Sequence, residues 1–119
     1  MSAGRARRVE YPRLRLLLGP GARMGHGKAA LLEAIRRTGS ISAAARDMRM
    51  SYKRAWDLVD ELNHSFSEPL VTKTAGGTQG GGAALTEAGA DVLARYRRME
   101  RAAARAVAAD LRALARRLR

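Results

Sequence analysis

Ser51, Tyr52, Lys53, Arg54 and Trp56 crowd one short stretch of the chain. A hydroxyl, a phenol, an ammonium, a guanidinium and an indole are groups that recognise rather than groups that make bonds. Lysine or arginine against a guanine edge is the commonest base-specific contact, and a phenol ring can touch a thymine methyl. Arg54 can also reach a phosphate. Trp56 has two readings: a contact to sugar or base beside a groove, or a core aromatic. Lys53 and Arg54 stand in the first turn of an expected helix, where the helix dipole disfavours cations. That placement points to a negative partner outside the protein. Ser40, Ser42, Arg46 and Arg49 lie just upstream as candidate phosphate contacts, with plain solvation as the alternative.

Two short helices must position these groups. Ser42 precedes three alanines and reads as an N-cap, its hydroxyl accepting an orphan backbone N–H. The alanines favour helix and let a second helix approach closely. Met48 and Met50 offer apolar anchors for a turn, and Ser51 repeats the capping signal. Behind it Ala55, Leu58, Val59 and Leu62 recur at i, i+3, i+4 and i+7, one buried stripe on an amphipathic helix. The opposite face carries Tyr52, Lys53, Trp56, Asp57 and Asp60. Helix, turn and exposed second helix make a unit suited to a DNA groove.

The chain has 119 residues, so one domain with one modest core is expected. A net charge of +12 and a pI of about 11.5 favour a polyanionic partner: DNA, RNA or an anionic membrane surface. With no cysteine there is no disulfide, iron–sulfur cluster or thiol nucleophile. No apolar run approaches a membrane span, and no secretory signal follows Met1 to Arg8. A cytoplasmic protein is the simplest expectation. Catalysis finds no support. His26 and His64 lack metal-ligand spacing, so no metal or cofactor is expected. Gly76-x-x-x-Gly80 lacks the lysine and hydroxyl of a phosphate-binding P-loop.

In chain order, residues 1–12 are expected to be a disordered basic arm. Arg13 to Leu18 reads as a short strand ended by Gly19-Pro20-Gly21, with loop to Gly27. Lys28 to Arg37 reads as a helix with Leu31, Leu32 and Ile35 inward and Gly39 as its stop. Past Asn63 the helical pattern fails at Glu68-Pro69. Leu70 to Thr74 and Ala83 to Leu85 read as two strands around a glycine-rich loop, a hairpin wing. Lys73 and Gln79, with Thr78 beside Gln79, are the side chains it offers DNA. Thr86 caps a long helix from Glu87 to about Leu118, whose first turn Gly89 weakens. Val92, Tyr96, Met99, Ala103, Val107, Leu111, Leu114 and Leu118 form its apolar stripe. That stripe covers the helix at Lys28, or a second copy, and both are expected. Leu31 with Tyr96, Met99, Ala103, Val107, Leu111 and Leu114 are the candidate dimer residues.

Ser51-Tyr52-Lys53-x-Ala55-Trp56-Asp57, Leu62-Asn63 and Gly76-Gly77-x-x-Gly80-Gly81-Gly82-Ala83-x-Leu85-Thr86 together resemble the N-terminal domain of the ModE family of molybdate-responsive bacterial regulators. Gly39 to Ala45 and Leu85-Thr86-Glu87-x-Gly89 are shared more loosely with LysR-type regulators. The resemblance covers about Leu14 to Arg101. It implies a mainly α, α+β fold: a winged helix-turn-helix over residues 13–86 and a dimerisation helix over 87–119. It implies operator binding as a homodimer through the first and last helices, with Ser51–Asn63 as recognition helix. It also links the chain to molybdate or metal metabolism. Complete members continue into two molybdate-binding β-barrel domains. This sequence offers none of those strands, so no molybdate site is expected in it. Two other functions compete: a nonspecific architectural nucleic-acid protein, and an interaction module whose long helix recruits a partner.

Overall fold

The computed structural model describes residues 13–74 and 82–119. The expected basic arm and the middle of the glycine-rich loop, with Thr78 and Gln79, lie outside the described residues. The elements run β1 (Leu16–Gly19), β2 (Ala22–Met24), α1 (His26–Thr38), α2 (Ile41–Asp47), α3 (Tyr52–Ser65), β3 (Val71–Thr74), β4 (Gly82–Leu85) and α4 (Glu87–Ala115). This is a winged helix-turn-helix extended by one long helix.

The N-terminal segment corrects the sequence reading. The first strand starts at Leu16 rather than Arg13, and Ala22–Met24, expected as loop, is its antiparallel partner. Gly19-Pro20-Gly21 is therefore the turn of a hairpin, with Gly21 at φ 76°. Three residues are too few to show a period. The burial of Met24, 1% exposed, and the pairing with β1 hold the return strand in place.

α1 buries Ala29, Leu31, Leu32, Ala34 and Ile35. Gly39 ends it at φ 74°, and its N–H bonds Ile35 O at 2.8 Å. The left-handed step favours a residue without Cβ. It throws the chain into α2, and here the expected cap is displaced. Ser40, not Ser42, is the N-cap: its Oγ accepts the Ala43 N–H at 3.0 Å. Ser42 sits inside the first turn, its Oγ accepting from Arg46 Nη1 at 3.1 Å. The reason is Ile41, which must lie on the helix to turn its side chain into the core. Thr38 ties the corner by donating to Ala34 O at 2.7 Å.

Ala44 and Ala55, both fully buried, bring α2 and α3 close. Between them Arg49 takes the left-handed conformation at φ 57°, at a cost of about 1–2 kcal/mol for a residue with a Cβ. Half-buried Met48 and Met50 on either side hold the turn against the core. Ser51 caps α3 as expected, accepting the Arg54 N–H at 3.0 Å. Ala55, Val59 and Leu62 are buried and Leu58 half-buried.

The wing pairs Val71 with Leu85 through Thr74 with Gly82. β3 thus starts one residue later than expected, and Leu70 and Val71 are both core. Ala83 N–H to Gly39 O at 2.9 Å ties the wing to the end of α1. Thr86 caps α4 by accepting the Gly89 N–H at 2.9 Å, and donates to Pro69 O at 2.7 Å.

Only the first half of α4, as far as Glu100, packs on the body. Leu93 and Tyr96 are buried, and half-buried Val92 lies beside them. The Tyr96 hydroxyl donates to Leu14 O at 2.6 Å. Burial pushes its pKa up to about 12, so it remains a donor. Arg97 bridges to α1, donating to Glu33 at 2.6 and 3.1 Å and to Glu100 at 2.7 Å. The Arg97 hydrogen bonds hold the Glu33 carboxyl below its ordinary pKa. Helix α4 ends at Ala115 rather than near Leu118.

Candidate nucleic-acid interface

Ser51, Tyr52, Lys53 and Arg54 are all exposed at the start of α3. Tyr52 keeps 51% of its surface in solvent. Neither it nor Lys53 is packed inside the body or hidden under the wing. The buried stripe at Ala55, Val59 and Leu62 turns Lys53 directly outward and leaves Tyr52 and Arg54 on its two flanks, exposed in the first turn of the helix.

Trp56 is neither a sealed core aromatic nor a free surface one. The indole is half-buried against the core. Tyr52 meets it edge-on, with centroids 6.1 Å apart and planes at 74°. Lys73 Nζ stands 3.6 Å from the ring centroid on the wing side, a cation–π contact, and 3.9 Å from Asp60 Oδ1. Trp56 therefore joins α3 to the wing. Lys73, expected as a free wing contact, is drawn back onto the helix.

Lys53 Nζ donates to Asp57 at 3.0 Å in an i, i+4 pair whose side chains are 84% and 62% exposed. Such a pair is worth at most about 0.5 kcal/mol, so a phosphate or base edge can displace the carboxylate at little cost. Arg54 has no carboxylate within 4.0 Å among the described residues. Ser40 is partly covered and its hydroxyl engaged in the cap, whereas Ser42, Arg46 and Arg49 are exposed.

Asn63 was not singled out as a working residue in the sequence. At the far end of α3 its Oδ1 accepts from Leu70 N–H at 2.8 Å and Val71 N–H at 3.1 Å. Its Nδ2 donates to Val71 O at 3.0 Å. One amide thus sets where the wing leaves the recognition helix. In the sequence it shows only as an asparagine closing a helical pattern and as part of the Leu62-Asn63 motif.

The expected dimer residues divide. Leu31 and Tyr96, 0% and 1% exposed, belong to the core of their own chain and offer nothing to a second copy. Met99, Val107 and Leu114 are exposed at 44%, 38% and 61%. Ala103 and Leu111 lie between them, partly covered. The outer part of α4 therefore presents an apolar stripe that nothing among the described residues covers.

Among the described residues no group of three or more His, Cys, Asp or Glu is arranged to hold a metal ion. Nor is any helix there long and apolar enough to cross a membrane. His26 Nδ1 lies 3.6 Å from Glu100 and belongs to the α1–α4 joint.

The family model for bacterial regulatory helix-turn-helix proteins of the lysR family matches residues 27–90, from the start of α1 into α4. The molybdenum-pterin-binding protein MopB of Rhodobacter capsulatus is 55% identical over 80 residues, 67% of this chain and 30% of that protein. The molybdenum transport protein ModE of Azotobacter vinelandii is 48% identical over 80 residues, with the same two shares. The transcriptional dual regulator ModE of Escherichia coli K12 is 42% identical over 69 residues, 58% of this chain and 26% of that protein. The chain thus spans about 30% or less of these relatives. The matched residues are those that build α1 to the start of α4, and the chain belongs to the lysR-type bacterial regulatory helix-turn-helix family, as a DNA-binding domain of the ModE kind.

Proposed function

We propose that this chain is a cytoplasmic, sequence-specific transcriptional regulator that binds a palindromic operator as a homodimer. Its output would be tied to molybdate, as the names of its relatives suggest. Residues 13–86 bind DNA and residues 87–119 dimerise. The observation that supports this best is the exposed ridge Tyr52–Lys53–Arg54. It stands on a helix whose opposite face is locked into the core and whose far end is pinned to a wing. In this reading α3 enters the major groove, Lys53 leaves Asp57 for a base edge, and Arg54 meets phosphate or guanine. Tyr52 touches a base, and Lys73 and Trp56 follow the backbone beside the wing. Thr78 and Gln79 remain wing contacts of the proposal. Two copies joined along Met99, Ala103, Val107, Leu111 and Leu114 would place two α3 helices on half-sites separated by whole turns, roughly 34 Å each.

Selection of bound fragments from random duplex DNA tests the reading, with a palindromic consensus as the expected result. Lys53→Ala is expected to lower affinity for that consensus about 10- to 100-fold, the worth of one good base contact of roughly 1–3 kcal/mol. Binding to random DNA should fall far less. Equal losses on both would leave a charge-driven architectural protein as the better description. For the dimer, Leu111→Glu with Leu114→Glu places charge on the outer stripe without touching the core. Sedimentation is expected to show a monomer whose circular dichroism melt remains cooperative. A double variant that still sediments as a dimer would remove the stripe from the interface.

A further inference from the structure

A cleft of about 520 Å³ opens between the N-terminal hairpin, the start of α1 and one flank of α3. Arg13 and Arg15 reach it from the entry to β1, Arg23 from β2 and Arg54 from α3. None of these four guanidiniums has a carboxylate within 4.0 Å among the described residues. The one acid in the lining, Glu61, is already neutralised by Lys28 at 2.5 Å. Lys28 also donates to the Arg23 carbonyl at 3.0 Å, which fixes the hairpin beside α3. Four like charges from three segments line one cleft, and nothing among the described residues compensates them. An anion drawn from outside does.

Helix geometry gives the cleft its place. At 3.6 residues per turn, Tyr52, Trp56 and Asp60 form one row of α3, and Arg54, Leu58 and Glu61 another. The two rows lie on roughly opposite flanks, with Lys53 and Asp57 along the ridge between. The wing closes the first flank through Lys73, and the arginine cleft lies on the second. A helix seated in a major groove has a phosphate backbone on each side.

We propose that this cleft clamps the DNA phosphate backbone on the flank of α3 opposite the wing, with Arg13, Arg15 and Arg23 as phosphate contacts. The N-terminal hairpin is then a second DNA-binding arm. This rests on α3 lying in the groove, but its signature is separable, because phosphate contacts set salt dependence and base contacts set selectivity.

The test uses the full chain and duplexes carrying either the selected consensus or random sequence, titrated between about 50 and 200 mM salt. The variant is Arg13→Ala with Arg15→Ala and Arg23→Ala. Each lost phosphate contact lowers the log–log salt slope by about 0.9. The triple variant should therefore be shallower by about 2 to 3, and wild type should lose roughly 40-fold more affinity over that salt range. The ratio of consensus to random affinity should hold within about twofold, as phosphate contacts carry no sequence information. The matching triple lysine variant should restore the slope, which a misfolded protein would not do. An unchanged slope overturns the proposal. So does saturable binding of inorganic phosphate that the alanine variant abolishes while its DNA slope stays wild-type, since that assigns the cleft to a free oxyanion. If wild type selects no consensus, the groove reading of α3 fails, and a slope difference on random DNA would still assign the cleft to duplex backbone.

Discussion

Gly89→Ala is expected to destabilise the protein by about 3 kcal/mol, at the upper end of the usual range for a single substitution. Helix propensity alone gives the opposite sign, because alanine exceeds glycine by about 1 kcal/mol inside a helix. Contact decides. A Cβ at position 89 would stand 2.1 Å from Leu70 O and 3.0 Å from the Leu70 carbonyl carbon. Those are backbone atoms, so no rotamer change relieves the clash. Nor can the carbonyl swing aside freely: it accepts the Thr86 N–H at 2.9 Å, and the Leu70 N–H is held by Asn63. Overpacking of this kind costs about 1–3 kcal/mol even where side chains can give way. For a domain of this size the expected change in Tm is a fall of at least about 10 °C. Thermal melts followed by circular dichroism measure it. A Tm equal to or above wild type would mean that α4 does not approach Leu70 as described. Gly89, read in the sequence as a weak point in a helix, is instead the place where the helix must have no side chain.

The second large effect belongs to Asn63. Its amide makes three hydrogen bonds to Leu70 and Val71, whose residues are 0% and 2% exposed. Asn63→Ala leaves two buried N–H groups and a carbonyl without their partner. Each such orphan costs about 1–3 kcal/mol before relaxation and water entry. A net loss of about 2–4 kcal/mol in denaturant melts is expected. Asn63→Asp keeps an acceptor for both N–H groups but sets an anionic acceptor against Val71 O in place of the donor, so it too should destabilise, though less than alanine. An alanine variant within about 0.5 kcal/mol of wild type, the range of ordinary surface changes, would contradict this role. The consequence also reaches the interface. Asn63 fixes where β3 leaves α3, and Lys73 on β3 reaches back to Trp56 and Asp60. Loosening that corner should weaken DNA binding at temperatures where the variant is still folded.

Much of the architecture was legible because burial imposes a period. The i, i+3, i+4, i+7 run at Ala55, Leu58, Val59 and Leu62 placed α3 and its exposed face. Gly39, Ser51 and Thr86 marked ends that the structure keeps. Short elements were less legible. Ala22–Met24 has no period to read, and the choice between Ser40 and Ser42 as cap turned on whether Ile41 had to be inside the helix. For the long helix, spacing marked the right face but did not divide it. Tyr96 and Met99 belong to one stripe, yet one is sealed in the core and the other is exposed.

The sequence by itself determined some local choices: that Gly39 stops a helix and Ser51 and Thr86 start one, which face of α3 turns inward, and that the chain seeks a polyanion. Those follow from backbone conformation, side-chain period and net charge, all properties of neighbours along the chain. Only the tertiary structure decided that Gly89 must admit Leu70, that Asn63 anchors the wing, that Trp56 sits between Tyr52 and Lys73, and that four arginines face one cleft. These depend on distances between segments far apart in sequence. Such distances are fixed when the shared core closes, and no local pattern encodes them.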